Sequence, residues 1–353
     1  MAYTTIDNPE LYFQTKLYAG TGSSGSHTLD GDTDMQPNMI WFKSRSAAES
    51  HLLVDSVRGS TKRIRPDTSN AEDDQGDYGI QSFNSDGFTT GTGDNNNKNG
   101  DNYVAWNWKA GTSVSGTTTG GTGKAYSGSV NTDAGISLIT YLGNDNSAHV
   151  IPHHLGVAPE LTIIKERSNV DIWVVQSSHL GIGNYMTLHT TSASATNGGN
   201  FITAVSSSTV TMNENAVNNA NDQAYMLYSF VSKQGYSKVG TYVGNGSASS
   251  GTFVYTGFKP AFIMWKGTAS TQNWMLVDNK RDVSNLSNGL NDVAFPNSSQ
   301  VPNDGETFLD VLSNGFKIRT TETGVNASGE VHIYMAFAEN PFVTSTGVPA
   351  TAR

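Results

Sequence analysis

No cysteine occurs in the 353 residues. That absence excludes a disulfide framework and thiolate metal sites, and the fold does not depend on an oxidising compartment. Positive charge is scarce as well: 21 Lys and Arg stand against 31 Asp and Glu, a formal net charge of −10. A nucleic-acid groove needs clustered basic side chains. The one small cluster here, Lys62, Arg63 and Arg65, reads as a solvated loop. No stretch approaches the ~18 apolar residues of a membrane-spanning helix. Met1 to Glu10 has neither a basic start nor an apolar run, so no Sec-type signal peptide is expected and synthesis in a cytoplasm is.

What is present points to strands. Charged residues make up only 15% of the chain while glycine reaches 37, a poor composition for exposed helix faces and a good one for short strands joined by polar turns. Aromatic residues reach 10% and recur at regular places, which argues against disorder.

The recurrence is threefold. Leu17-Tyr-Ala-Gly-Thr-Gly22 returns as Tyr141-Leu-Gly-Asn144 and Tyr242-Val-Gly-Asn-Gly246. Each is followed by a proline and an apolar run ending in lysine: Pro37 to Lys43, Pro159 to Lys165, Pro260 to Lys266. A second strand follows at His51–Asp55, Ile172–Gln176 and Asn273–Asp278. Each unit closes on an aromatic strand beginning at Tyr103, Tyr225 or Tyr334. Lys43 and Lys165 are 122 residues apart, as are Tyr103 and Tyr225. Lys165 and Lys266 are 101 apart but Tyr225 and Tyr334 are 109, which implies a longer loop inside the third copy. Self-similarity at such spacing is the mark of tandem repeats.

The expected organisation is an N-terminal arm (1–11), repeat 1 (12–109), a Gly/Ser/Thr-rich flexible linker or surface-draped loop (110–134), repeat 2 (135–231), repeat 3 (232–343) and a small polar tail (344–353) that frays unless a neighbour holds it. In the middle copy about eight strands are expected, starting near Ile136, His149, Leu161, Ile172, Tyr185, Phe201, Val205 and Ala224. The predicted fold class is all-β: three tandem, diverged antiparallel β-sandwich domains of jelly-roll or concanavalin-like type, with immunoglobulin topology as the second choice.

The tryptophans Trp41, Trp106, Trp108, Trp173, Trp265 and Trp274 fit the space between two sheets better than a sugar-stacking platform. Asp55 with Arg58 and Asp278 with Arg281 read as strand-end ion pairs, replaced by Gln176 and His179 in the middle copy. Asp30-Gly-Asp-Thr-Asp34 has the alternating carboxylates a calcium ion favours but not the glycine and glutamate of an EF-hand loop. Asp94 to Asp101 is oxygen-rich and reads as a turn. His149, His153 and His154 are close in sequence, but neighbours in a strand point to opposite faces and cannot share a metal. No nucleophile elbow, zincin helix or phosphate loop occurs. A carboxylate pair for glycoside cleavage is a property of three dimensions. No residue is assigned as catalytic, cofactor-binding or metal-ligating, and no cofactor is expected.

Asn8-Pro-Glu-Leu-Tyr-Phe-Gln14, Asp34-Met-Gln-Pro-Asn38, Asp55-Ser-Val-Arg-Gly59, Tyr103 to Lys109, Gln234-Gly-Tyr-Ser-Lys238, Phe253 to Phe258 and Tyr334 to Glu339 together carry a resemblance over nearly the whole chain. The chain resembles a family of repeat proteins common in the genomes of marine tailed phages, including those of cyanobacteria and SAR11-type bacteria. The resemblance implies a non-enzymatic virion structural protein, in a tail fibre or particle-surface appendage, that contacts other virion proteins, forms a homo-oligomer (a trimer by preference) and touches a host surface glycan. A carbohydrate-binding, lectin-like adhesin is the first alternative and a polysaccharide-trimming enzyme the second. The middle copy departs from the pattern: Val205 to Met212 stands where the others carry Asp86-Gly-Phe88 and Asn314-Gly-Phe316.

Overall fold

The apolar runs identified above form the centre of each copy because both of their faces are buried. In the computed structural model, which describes residues 2–282, 290–303 and 307–350, the first copy contains β1 (Phe13–Ala19), β2 (Gly25–His27), β3 (Met39–Ser44), β4 (Leu52–Asp55), β5 (Gly59–Ile64), β6 (Asp73–Asp74), β7 (Ile80–Asn84), β8 (Gly87–Thr90), a helical turn α1 (Asp94–Asn97) and β9 (Asn102–Trp108). A hairpin of β10 (Thr112–Thr117) and β11 (Ala125–Asn131) follows. The second copy contains β12 (Ile136–Leu142), β13 (His149–Pro152), β14 (Leu161–Glu166), β15 (Trp173–Ser177), β16 (Asn184–Thr187), β17 (Ala195–Thr196), β18 (Ile202–Val205), β19 (Thr209–Met212), α2 (Ala216–Asn219) and β20 (Ala224–Phe230). The third contains β21 (Ser237–Val243), β22 (Phe253–Tyr255), β23 (Phe258–Gly267), β24 (Met275–Asp278), β25 (Leu309–Leu312), β26 (Gly315–Ile318), α3 (Thr323–Asn326) and β27 (Val331–Pro341).

The same topology appears three times. The larger sheets share the order β1-β9-β3-β4, β12-β20-β14-β15 and β21-β27-β23-β24; the smaller ones run β2-β8-β7, β13-β19-β18 and β22-β26-β25. All strand pairs between named strands are antiparallel, and the fold is an all-β sandwich fold.

Alternation along each strand divides the side chains between two cores. On β9, Val104, Trp106 and Trp108 enter one cluster while Ala105 enters another. On β20, Met226, Tyr228 and Phe230 part from Tyr225 and Leu227 in the same way. On β27 the division is Ile333, Met335 and Phe337 against Tyr334, Ala336 and Ala338. The second set in each case packs on that copy's own small sheet. The first sets of all three copies meet in one shared core. Five of the six tryptophans lie in this shared core and only Trp265 lies between a copy's own two sheets, so the expected placement is corrected. A sheet covered on both faces needs apolar residues at consecutive positions, which is why these strands read as unbroken runs.

Aromatic contacts knit the shared core across copies. Phe13 of the first copy stacks on Phe337 of the third at 5.4 Å and meets Phe262 edge-on at 5.7 Å, while Trp108 meets Phe262 at 5.4 Å. Each such pair contributes about 0.5–1.5 kcal/mol beyond the area it buries.

Three local expectations change. Residues 110–134 are not a loose linker: β10 and β11 extend the second copy's large sheet, β11 pairing along all of β12 from Tyr126↔Tyr141 to Asn131↔Ile136. Tyr126 and Val130 supply the apolar contacts to the second copy's core that the Gly/Ser/Thr composition had hidden. The segment before Tyr12 is no free arm either. It lies across the third copy, Tyr3 donating to the Gly257 carbonyl at 2.8 Å and Thr4 to that of Gln234 at 2.7 Å, and Thr4 and Ile6 are buried. The tail is held too, the backbone N–H of Ser345 donating to Asp7 at 2.6 Å. In the middle copy the strand expected near Val205 begins at Thr209, because Ser206 closes a turn onto Thr209. The longer loop of the third copy falls between Asp278 and Leu309, partly outside the described residues.

Candidate functional site

Of the polar side chains singled out in the sequence, the two Asp–Arg pairs lie at joints between copies. Strand register sets their equivalence: Met39 pairs with Asp55, Leu161 with Ser177, and Phe262 with Asp278. The middle-copy counterparts of Asp55 and Arg58 are therefore Ser177 and Leu180, not Gln176 and His179. The ion pairs are also not surface features. Asp55 and Arg58, like Asp278 and Arg281, have fully buried side chains.

Each pair is one part of a chain of contacts running into the neighbouring copy. Tyr228 of the second copy donates its hydroxyl to Asp55 at 2.8 Å. Arg58 holds Asp55 at 2.6 Å and Glu72 at 3.1 Å. Glu72 accepts two bonds of 2.9 Å from Arg167 of the second copy. The joint between the third and first copies repeats the pattern. Trp106 donates its indole N–H to Asp278 at 3.0 Å, and Arg281 holds Asp278 and Asp292. The Arg281 guanidinium also lies 5.3 Å from the Trp106 ring, and Arg45 completes the chain 3.9 Å from Asp292. Burial pushes the Glu72 carboxyl up, but the two arginines outweigh it and hold it below its ordinary value. At Asp292 burial prevails over Arg281, and the carboxyl stands above its ordinary value.

The three strand-end lysines are equivalent as well. Lys43 donates to the carbonyl of Ser299 in the third copy at 3.1 Å, and Lys266 to that of Thr191 in the second at 3.1 Å. Lys165 donates to its neighbour Glu166 at 2.7 Å. All three are buried, and desolvation lowers each to about 8 against the partial opposition of nearby carboxylates.

One recurring element went unread in the sequence. Asn97, Asn219 and Asn326 end the three helical turns, and all are buried. Each amide donates to two backbone carbonyls: Ser23 and Gly91, Asn146 and Asn213, Ser247 and Thr320. Each amide oxygen accepts from Thr21, Asn144 or Asn245. The oxygen-rich stretch 94–101 is thus an internal staple. The available signal was an asparagine six residues before Tyr103, Tyr225 and His332. The last of these is the true counterpart of the two tyrosines, for Lys43, Lys165 and Lys266 face Val104, Met226 and Ile333. His332 stacks on Tyr242 as Tyr103 does on Tyr18 and Tyr225 on Tyr141. Gly20, Gly143 and Gly244 follow these first-strand residues because a Cβ there would lie 2.2–2.3 Å from a carbonyl oxygen of the helical-turn segment.

The remaining candidates have partners of their own. Asp30 pairs with Lys16 at 2.5 Å, and Asp32 and Asp34 are exposed. His149 is buried between Asn219 and Thr118, at 2.6 and 2.7 Å. His153 is buried against Ser206, while His154 is exposed and reaches Tyr126; both lie beyond the end of β13, so strand alternation does not set their directions. Lys62, Arg63 and Arg65 lie on or beside β5 rather than in a loop. Asp73 pairs with both arginines and Lys62 faces Asp74, so their charge is balanced locally. Among the described residues no group of three or more His, Asp or Glu is placed to hold a metal ion.

A cavity of about 700 Å³ opens between the first and third copies, lined by Asp7, Glu10, Asp30 and Asp32 on one side and Lys259 and Glu339 on the other. Most of these charges are already engaged: Glu10 with the Asp32 N–H and Glu339 with Lys259 and Asn279.

These features define a three-copy all-β protein closed around a shared core. Residues 8–341 match the profile of a family described as a domain of unknown function, DUF7483, and the chain belongs to that family. No curated protein and no solved structure matches the chain.

Proposed function

We propose that this protein is a non-enzymatic structural part of a tailed-phage particle, a tail-fibre or surface appendage that contacts other virion proteins and the host envelope. The observation that carries the reading is the use made of its polar chemistry. Asp55, Arg58, Asp278 and Arg281 are buried at two of the joints, and Lys43 and Lys266 reach carbonyls of neighbouring copies, so that these groups serve to hold the copies together. The threefold arrangement sought in a homotrimer is made within a single chain. The sequence resemblance to marine tailed-phage repeat proteins supplies the particle. Antibody-gold electron microscopy of particles purified from the source lysate tests it. Label at the tail tip supports host contact, label over the capsid a decorating role, and unlabelled particles overturn the reading.

A lectin-like adhesin is the second reading, favoured by the cavity between the first and third copies, whose Asp, Asn and Gln side chains suit sugar hydroxyls. A glycan-binding screen run with and without calcium separates it from a purely architectural part; no bound glycan removes it.

A further inference from the structure

Strand edges in this fold are blunted in several ways. β6 and β17 are two residues long. On β21 the Ser232 hydroxyl accepts from the Val239 N–H at 2.9 Å, and Thr252 donates to the Val243 carbonyl at 2.8 Å. β24 is bridged by Ala294. These are the devices by which sheet proteins avoid pairing edge to edge.

β10 has none of them. It is six residues long, five of them exposed, and it pairs with β11 in unbroken register. Its other side is an end of the eight-stranded sheet, unpaired among the described residues. No charged residue and no proline occurs from Ala110 to Gly123.

We propose that β10 pairs with β10 of a second copy of this chain, antiparallel about a twofold axis, joining two eight-stranded sheets edge to edge. The segment Ser113-Val-Ser115 reads the same in both directions and is complementary to itself in this sense. Centred on Val114, the pairing sets Val114 opposite its own image and Ser113 opposite Ser115 on either side of the axis, where facing hydroxyls are a favourable cross-strand pair. The net charge of −10 makes copies repel over most of their surface. β10 is an edge where no charge faces its own image. A partner of different sequence would be selected by charges or pockets, and β10 offers neither. The proposal stands apart from the virion reading.

Sedimentation of the full chain from about 1 to 100 μM tests it. The wild type should pass from monomer to dimer as concentration rises. Ser113→Lys with Ser115→Lys sets like charges opposite each other twice, and should weaken the dimer by about tenfold or more. Ser113→Lys with Ser115→Glu sets opposite charges face to face and should dimerise at least as well as the wild type. Both variants alter exposed positions, and circular dichroism confirms their fold. A wild type that stays monomeric overturns the proposal and leaves the edge to another chain, and a dimer indifferent to both variants overturns it as well.

Discussion

Two of the three joints are built on buried ion pairs and, among the described residues, the third is not. Where the first copy meets the second, Tyr228, Asp55, Arg58, Glu72 and Arg167 follow one another. Where the third meets the first, Trp106, Asp278, Arg281, Asp292 and Arg45 do the same. Between the second and third, the corresponding residues are Ser177, Leu180 and Met335, with Leu180 packed on the shared core that contains Met335. The change is concerted: the acid, the base and the donor opposite have all gone together. A buried ion pair survives the loss of both partners far better than the loss of one, so a joint must keep the whole set or lose all of it. The third joint keeps only bonds to main-chain acceptors, Trp274 donating to Thr187, Lys266 to Thr191 and Ser194 to Thr268, of the kind that Trp173 and Lys43 make at the other two.

The comparison breaks most visibly when one ion is removed. Asp278→Ala leaves the buried Arg281 with Asp292 as its one remaining carboxylate and strands the Trp106 N–H, and should cost about 3 kcal/mol in denaturant unfolding, as should Asp55→Ala; Ser177→Ala, at the matching place, should cost less than about 1 kcal/mol. Equal losses at all three positions would show that the joints are not distinct. The asparagine staples serve as the control, since they occur in every copy. Asn97→Ala, Asn219→Ala and Asn326→Ala should each cost about 1–3 kcal/mol by leaving carbonyls unpaired, with no dependence on which joint lies nearby.

The same contrast is sharpened by converting one joint into another. Asp278→Ser, Arg281→Leu and Trp106→Met together should recover most of the stability that Asp278→Ala loses, ending within about 2 kcal/mol of the wild type. Failure to recover would mean that Asp292 and Arg45, left behind, dominate the joint. The smallest effect expected is that of acid. Burial lowers the imidazoles of His27, His51, His149, His153, His189 and His332. The unfolded chain then takes up protons that the folded one refuses, so stability is full above about pH 6.5 and falls below it. His51 stands where the other copies have Trp173 and Trp274, and it receives the Trp41 indole N–H at 2.9 Å. Hydrogen exchange at mildly acid pH should therefore rise first around β4. Uniform exchange across the three copies would contradict this.

Much of the architecture was legible because apolar runs, prolines and lysines recur in order, and a strand's period fixes what its neighbours must be. The tryptophans showed that interiors were being filled, but not which interior. Trp106 and Trp265 look alike in sequence, yet one enters the shared core and the other a copy's own. Only the packing of a second sheet face against other copies decides that, and no local pattern records it. Alignment by residue type also misled. Tyr334 matched Tyr103 by name, whereas the residue that stacks in its place is His332. The hairpin β10–β11 stayed hidden because it is held by pairing with β12 and by the core contacts of Tyr126 and Val130, two residues in a Gly/Ser/Thr-rich stretch. Asp55 and Arg58 were visible as a pair, but Tyr228, which bonds Asp55, lies more than a hundred residues away, and Arg167 reaches the pair only through Glu72.

The bond between Asp7 and Ser345 places the two ends of the described chain side by side on one joint. Seen as connectivity, the block is then nearly a closed loop with a single interruption, and the position of that interruption is not dictated by the packing. A chain whose two ends are joined through a linker and which is reopened at Gly120–Gly121, the tip of the hairpin, would keep the contacts of the three joints, those of Tyr3, Thr4 and Ile6 included. Which copy is called first is a matter of where the backbone was cut.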